Sequence, residues 1–130
     1  MKPTTAIFSS IFVAAALVAA PTIAQDTSPV GIWEIDSGES RYQVETCGDG
    51  TQLCAKLVWL RDDARTAENL AYLDTYVVEG ARFNGANAWQ GQVNYEGDTF
   101  DGRLTMVDAD TIRLNGCKGI FCKSMELERI

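Results

Sequence analysis

Polar and apolar residues alternate along most of the chain beyond residue 30, the period-two pattern of strands that bury one face. Trp89, Gly91, Val93 and Tyr95 share a face, a turn at 96–99 follows, and Phe100, Gly102, Leu104 and Met106 return on the same face. Registered about that turn, a glycine stands opposite a larger residue at two levels, which is how a narrow barrel fills its interior. A further turn at 108–110 leads into Ile112 and Leu114, so the last four strands are expected to form a continuous antiparallel meander. Segments 31–35, 41–46 and 53–60 form another. Between the two blocks the alternation lapses at 61–87. There Asp62 and Asp63 are placed to cap a short helix with Ala64, Ala67, Leu70 and Ala71 on one side, a lid or plug; a plain surface loop is the alternative. Segment 76–83 adds one more strand. The expected fold is all-β: a single small antiparallel up-and-down barrel of about eight strands, closed because closure removes exposed edges.

The first two dozen residues follow a different pattern. Lys2 is their one charge, an apolar run occupies 6–20, and Thr22-Ile23-Ala24 places small residues where a signal peptidase reads. Residues 1–24 are expected to be a cleaved signal peptide and 25–130 the barrel domain. A retained anchor is the alternative, but the run is shorter than the roughly 18 to 20 residues needed to span a bilayer. No cysteine lies near the cleavage site to carry lipid, so no stable membrane anchor is expected. The product is expected in the periplasm or outside the cell. Losing Lys2 takes the formal charge from −7 to −8. That charge disfavours nucleic acid and anionic membranes as partners.

In an oxidising compartment the four cysteines are expected to form disulfides, for which three connectivities exist. Placing Cys47 opposite Cys54 sets Glu45 against Lys56, Val44 against Leu57 and Tyr42 against Trp59, giving one polar and one apolar face. Placing Cys117 opposite Cys122 sets Arg113 against Glu126, Leu114 against Met125 and Ile112 against Leu127. Both hairpins become sensible under local pairing, which is therefore the expected connectivity. The spacings match neither a redox Cys-x-x-Cys nor a zinc pattern, so no metal or cofactor is expected. Each bridge closes a short loop and is expected to stabilise by no more than roughly 2 to 3 kcal/mol.

Gly31-Ile32-Trp33 opens the first strand, and parity with Met125 and Leu127 puts Arg129 on the apolar face of the last. An inward arginine needs a partner, and the Trp33 ring is the obvious one. The combination resembles the lipocalin-like, or calycin, arrangement, in which an arginine from the last strand covers the tryptophan of Gly-x-Trp. An ordinary buried tryptophan beside a snorkelling arginine is the alternative.

More specifically, the chain resembles the bacterial secreted proteins grouped as domain-of-unknown-function family 2147. The resemblance rests on Val30-Gly31-Ile32-Trp33, on Cys47-Gly48 through Leu53-Cys54 into Lys56-Leu57-Val58-Trp59-Leu60, and on Trp89-Gln90-Gly91 and Tyr95. It continues through Leu114-Asn115-Gly116-Cys117-Lys118-Gly119 and Cys122-Lys123-Ser124. Two features depart from it: Leu127 stands where the family usually has Trp, and the family's Asn-Pro segment after the third strand is missing. The resemblance implies a calycin-like barrel and supplies no activity.

Composition removes much chemistry. The chain has no histidine, which excludes Ser-His-Asp and Cys-His centres and histidine-ligated haem, and disulfide formation would remove thiolate nucleophiles. Asp62, Asp63 and Glu68 are the clustered carboxylates a glycosidase would need, and a solvated face is the plainer reading. Asp98-Thr99-Phe100-Asp101-Gly102 is too sparse for a calcium loop. The protein is therefore expected not to be an enzyme.

Two binding functions remain. In one, a small apolar or amphipathic molecule enters the barrel, lined by Tyr42, Val44, Leu57, Trp59, Trp89, Tyr95, Phe100, Leu104 and Met106, residues that would equally fill a dry core. In the other, disulfide-braced hairpins bind an envelope protein, as a hydrolase inhibitor would. Ile120 and Phe121 are then anchor candidates unless they fold inward, and the acidic character suits a basic partner such as a lysozyme.

Overall fold

A computed structural model describes residues 28–95 and 97–130; the expected leader at 1–24 and the cleavage site lie outside the described residues. Eight antiparallel strands follow one another around a closed barrel. They are β1 (Gly31–Ile35), β2 (Ser40–Cys47), β3 (Gln52–Leu60), β4 (Tyr76–Gly85), β5 (Ala88–Tyr95), β6 (Asp98–Asp108), β7 (Thr111–Lys118) and β8 (Phe121–Arg129). Closure comes from β1 pairing with β8, where Trp33 faces Arg129 and Ile35 faces Leu127.

The β7–β8 register is the expected one, with Arg113 opposite Glu126, Leu114 opposite Met125 and Cys117 opposite Cys122. The β2–β3 register is not. Cys54 faces Glu45, Val44 faces Ala55 and Tyr42 faces Leu57, a two-residue slip that keeps the same side chains on each face. A bulge at Val58 then reverses the parity, so Arg41 faces Trp59 and Ser40 faces Leu60. Trp59, expected inside, lies on the outer face with the Arg41 guanidinium 4.2 Å from its ring centroid. Leu60 is buried in its place.

The β5–β6 hairpin also differs from expectation by two residues. Its turn is two residues long, from Tyr95 to Asp98, with Gly97 at φ 77°, and such tight hairpin turns require positive φ. Gly91 consequently faces Gly102, while Trp89 faces Leu104 and Val93 faces Phe100. The glycines are not set against larger partners in the hairpin. Instead the space is taken from beside them: a Cβ on Gly91 would lie 2.9 Å from the Ala81 Cα of β4.

Both disulfides form locally, Cys47 with Cys54 and Cys117 with Cys122. They stand at opposite ends of the barrel on its outer face, sharing parity with Glu45 and Lys56 in one case and Arg113 and Glu126 in the other. Such bridges persist in oxidising compartments. Among the described residues no helix is long and apolar enough to cross a membrane.

Segment 61–75 contains a 3-10 turn, Asp62–Ala64, and a single helical turn, α1 (Ala67–Leu70). Its cap is Thr66, whose hydroxyl accepts from the Asn69 N–H at 3.2 Å, not Asp62 or Asp63. Of the four residues expected on the inner side, only Ala64 is buried. It packs with Leu57 and Leu60, joined by Tyr72 and Leu73, and this small cluster covers the β2–β4 side of one barrel end. The segment is anchored there by backbone bonds in both directions between Leu57 and the pair Asp74 and Thr75, at 2.7 and 3.0 Å.

Candidate functional site

The two barrel ends are built differently. At one, Trp33 is fully buried, with 0% exposure, and the Arg129 guanidinium carbon lies 4.3 Å from its ring centroid. Arg129 donates to the carbonyls of Ser28, Val30 and Ala109 at 2.7, 2.8 and 3.1 Å, and Trp33 Nε1 donates to Pro29 O at 2.8 Å. Each guanidinium nitrogen and the indole N–H thereby has an acceptor, and cation, ring and backbone together seal this end.

Toward the other end the inner wall is incompletely filled. A cavity of about 60 Å³ lies among Val44, Ala55, Val78, Leu104, Ile112 and Leu127, bordered by Tyr42, Phe100, Leu114 and Met125. These last four are only half-buried although they point into the barrel. The cavity reaches the rim at Asn94, Tyr95 and Lys123. Its volume is well below the ~150 Å³ of a dry cavity that takes benzene, so as it stands it has room for the end of a slender chain and not for a ring system.

Of the nine lining residues expected from the sequence, Tyr42, Val44, Tyr95, Phe100 and Leu104 border this cavity. Leu57 is buried beneath segment 61–75, and Trp59 is outside for the reason given above. Trp89 sits nearer the sealed end, its ring 5.2 Å from that of Phe83, beside a void of only about 10 Å³ at Gly91 and Gly102. Met106 is buried in the central core opposite Ile112.

Tyr42 links the two apolar clusters. Its hydroxyl accepts from the Ser40 hydroxyl at 3.1 Å, and burial pushes its pKa above the usual tyrosine value.

Lys123 escaped the sequence reading, yet its signal was available. It belongs to the row Lys123, Met125, Leu127 and Arg129, and faces Gly116 across β7. That row begins with a lysine at the cavity rim and ends with an arginine at the sealed end. The Lys123 ammonium lies 5.5 Å from the Tyr95 ring centroid, and among the described residues it forms no ion pair, whereas neighbouring Lys118 is paired with Asp98.

The hairpin tip beside this rim exposes Ile120 and Phe121, at 91% and 75%. They do not fold inward over the opening. The carboxylates considered for hydrolysis stand on the exposed surface of segment 61–75. Asp63 receives two hydrogen bonds from Arg61, at 2.6 and 2.9 Å, which hold its carboxyl below the usual range. That is opposite to the shift a proton donor needs.

An eight-stranded closed barrel with a sealed Gly-x-Trp end and an apolar interior defines a lipocalin-like protein. The family profile described as an uncharacterized protein conserved in bacteria, DUF2147, matches residues 31–129, and the chain belongs to that family. Comparison with curated proteins and with solved structures gives no match.

Proposed function

We propose that this is a non-enzymatic binding protein that takes a slender apolar or amphipathic molecule into the barrel, acting in the periplasm or outside the cell after removal of residues 1–24. The observation that carries the reading is the half-buried state of Tyr42, Phe100, Leu114 and Met125 around a cavity of about 60 Å³. A barrel meant only as a packed scaffold would fill that space, because each unfilled methyl-sized gap costs on the order of 1 kcal/mol.

Native mass spectrometry of protein recovered from an exporting host, together with calorimetric titration of decan-1-ol, tests it. A carried mass lost on denaturation, or saturable one-to-one decanol binding that Leu114→Trp abolishes in a folded barrel, supports the cavity. Binding that survives Leu114→Trp unchanged would locate the ligand elsewhere.

The exposed Ile120-Phe121 tip favours a second reading, a protein-binding module of the hydrolase-inhibitor kind. Its test is capture of a basic envelope hydrolase such as lysozyme. Replacing both tip residues by Ser should abolish capture without unfolding the barrel, and undiminished capture removes that site.

A further inference from the structure

We infer that the ligand is a single-chain amphiphile with an anionic head, its tail in the barrel and its head held at the rim by Lys123; this rests on the cavity reading above. The inner row of β8 is otherwise built for burial: Met125 borders the cavity and Leu127 is buried. Lys123, at the rim end of that row, is exposed and keeps its ammonium in water. Arg129 has three carbonyls and the Trp33 ring. Lys123 has the Tyr95 ring at 5.5 Å and, among the described residues, no carboxylate. Lys123 borders the cavity at its rim, so its ammonium is within reach of the head of a chain that leaves the cavity for water.

Shape and charge narrow the class further. A volume of about 60 Å³ is too small for two alkyl chains side by side, so a two-tailed lipid does not fit. The protein carries a formal charge of −7, so a head with several negative charges is repelled more strongly than a monoanion. A single carboxylate or sulfate on an unbranched chain satisfies both conditions. Contact with an exposed lysine adds a small increment to the tail's contribution, so head discrimination should be about three- to tenfold, not orders of magnitude.

The test uses one tail with four endings: decanoate, decyl sulfate, decan-1-ol and decyltrimethylammonium, titrated below their micelle concentrations at moderate salt. Wild-type protein should bind both anions about three- to tenfold more tightly than the alcohol, and the cation most weakly. Lys123→Gln should bring the anions to the affinity of the alcohol, with alcohol binding retained. Lys123→Glu should reverse the order in favour of the cation. Decanol binding with no preference for the anions, or a preference that survives Lys123→Gln, overturns the head-group inference and leaves the cavity reading standing. Failure of all four to bind overturns both.

Discussion

A Cβ on Gly31 would lie 2.7 Å from Nη1 of Arg129, so the residue that opens the first strand makes room for the guanidinium that closes the last. Gly31 also has φ 148°, a backbone state that side chains disfavour. Gly31→Ala should therefore lower stability by about 1 to 3 kcal/mol, read as a fall in the urea midpoint. In an Arg129→Ala background the collision is gone, and the added cost of Gly31→Ala should shrink to the backbone part alone. Equal costs in the two backgrounds would show that the pair is not coupled.

Arg129 itself is expected to resist conservative replacement. Lysine offers a point charge in place of a planar fork that stacks on Trp33 while donating to three carbonyls. Arg129→Lys should cost about 1 to 3 kcal/mol in chemical denaturation, with tryptophan fluorescence showing a less shielded Trp33. A variant as stable as wild type would mean that charge alone seals the end.

Trp59 and Phe100 should respond differently to truncation. Trp59→Ala removes a ring stacked on the outside beside Arg41 and should leave decanol affinity unchanged. Phe100→Ala alters the cavity wall and should change that affinity several-fold or more. Calorimetry on both variants, after circular dichroism confirms the barrel, decides the matter; an effect of Trp59→Ala equal to that of Phe100→Ala would count against the cavity as the site.

Burial raises the Tyr42 pKa above its ordinary value of 10.0. The unfolded chain then loses this proton at lower pH than the folded one. The stabilisation is fully present below about pH 10 and declines as pH rises through the folded pKa. Urea midpoints measured from pH 8 to 11 should fall at the alkaline end, and Tyr42→Phe should flatten part of that fall. An unchanged slope in Tyr42→Phe would assign it to other groups.

The disulfides join residues 7 and 5 positions apart. Loops this short restrict the unfolded chain modestly, and reduction of either should cost about 2 kcal/mol. Paired Cys→Ser variants, Cys47 with Cys54 and Cys117 with Cys122, should remain folded with lowered melting temperatures and roughly additive losses. Complete unfolding of either would show that the sheet cannot hold its register without the clip.

Most of the barrel was legible because alternation survives small errors. The β2–β3 and β5–β6 registers each slip by two residues from the simplest pairing, and an even slip leaves Val44, Leu57, Val93 and Phe100 on their expected side. An odd irregularity is different. The extra residue at Val58 leaves no mark in a run of apolar residues, and it reversed Trp59. Cysteines fixed the register only where they lie directly opposite, as in β7–β8; the Cys47–Cys54 bridge joins positions two apart in the ladder. The cavity was less legible still, since filled and unfilled barrels use the same side chains. What distinguishes them is whether Phe100, Leu114 and Met125, on the neighbouring strands β6 to β8, fill the space between them and Tyr42 on β2, a matter of strand tilt and turn length that alternation does not encode. Lys123 was the available clue, one step beyond the Met125, Leu127 and Arg129 row.

The β1–β8 seam has a consequence in time. Every other strand pair joins neighbours along the chain, whereas Trp33 and Arg129 meet only after the whole sequence is present. Local hairpins can form early, but closing the longest loop must wait for the final residues and carries the largest entropic toll. The last step of folding should therefore be the arrival of β8, and a chain shortened by a few C-terminal residues would keep its hairpins while remaining an open, sticky sheet.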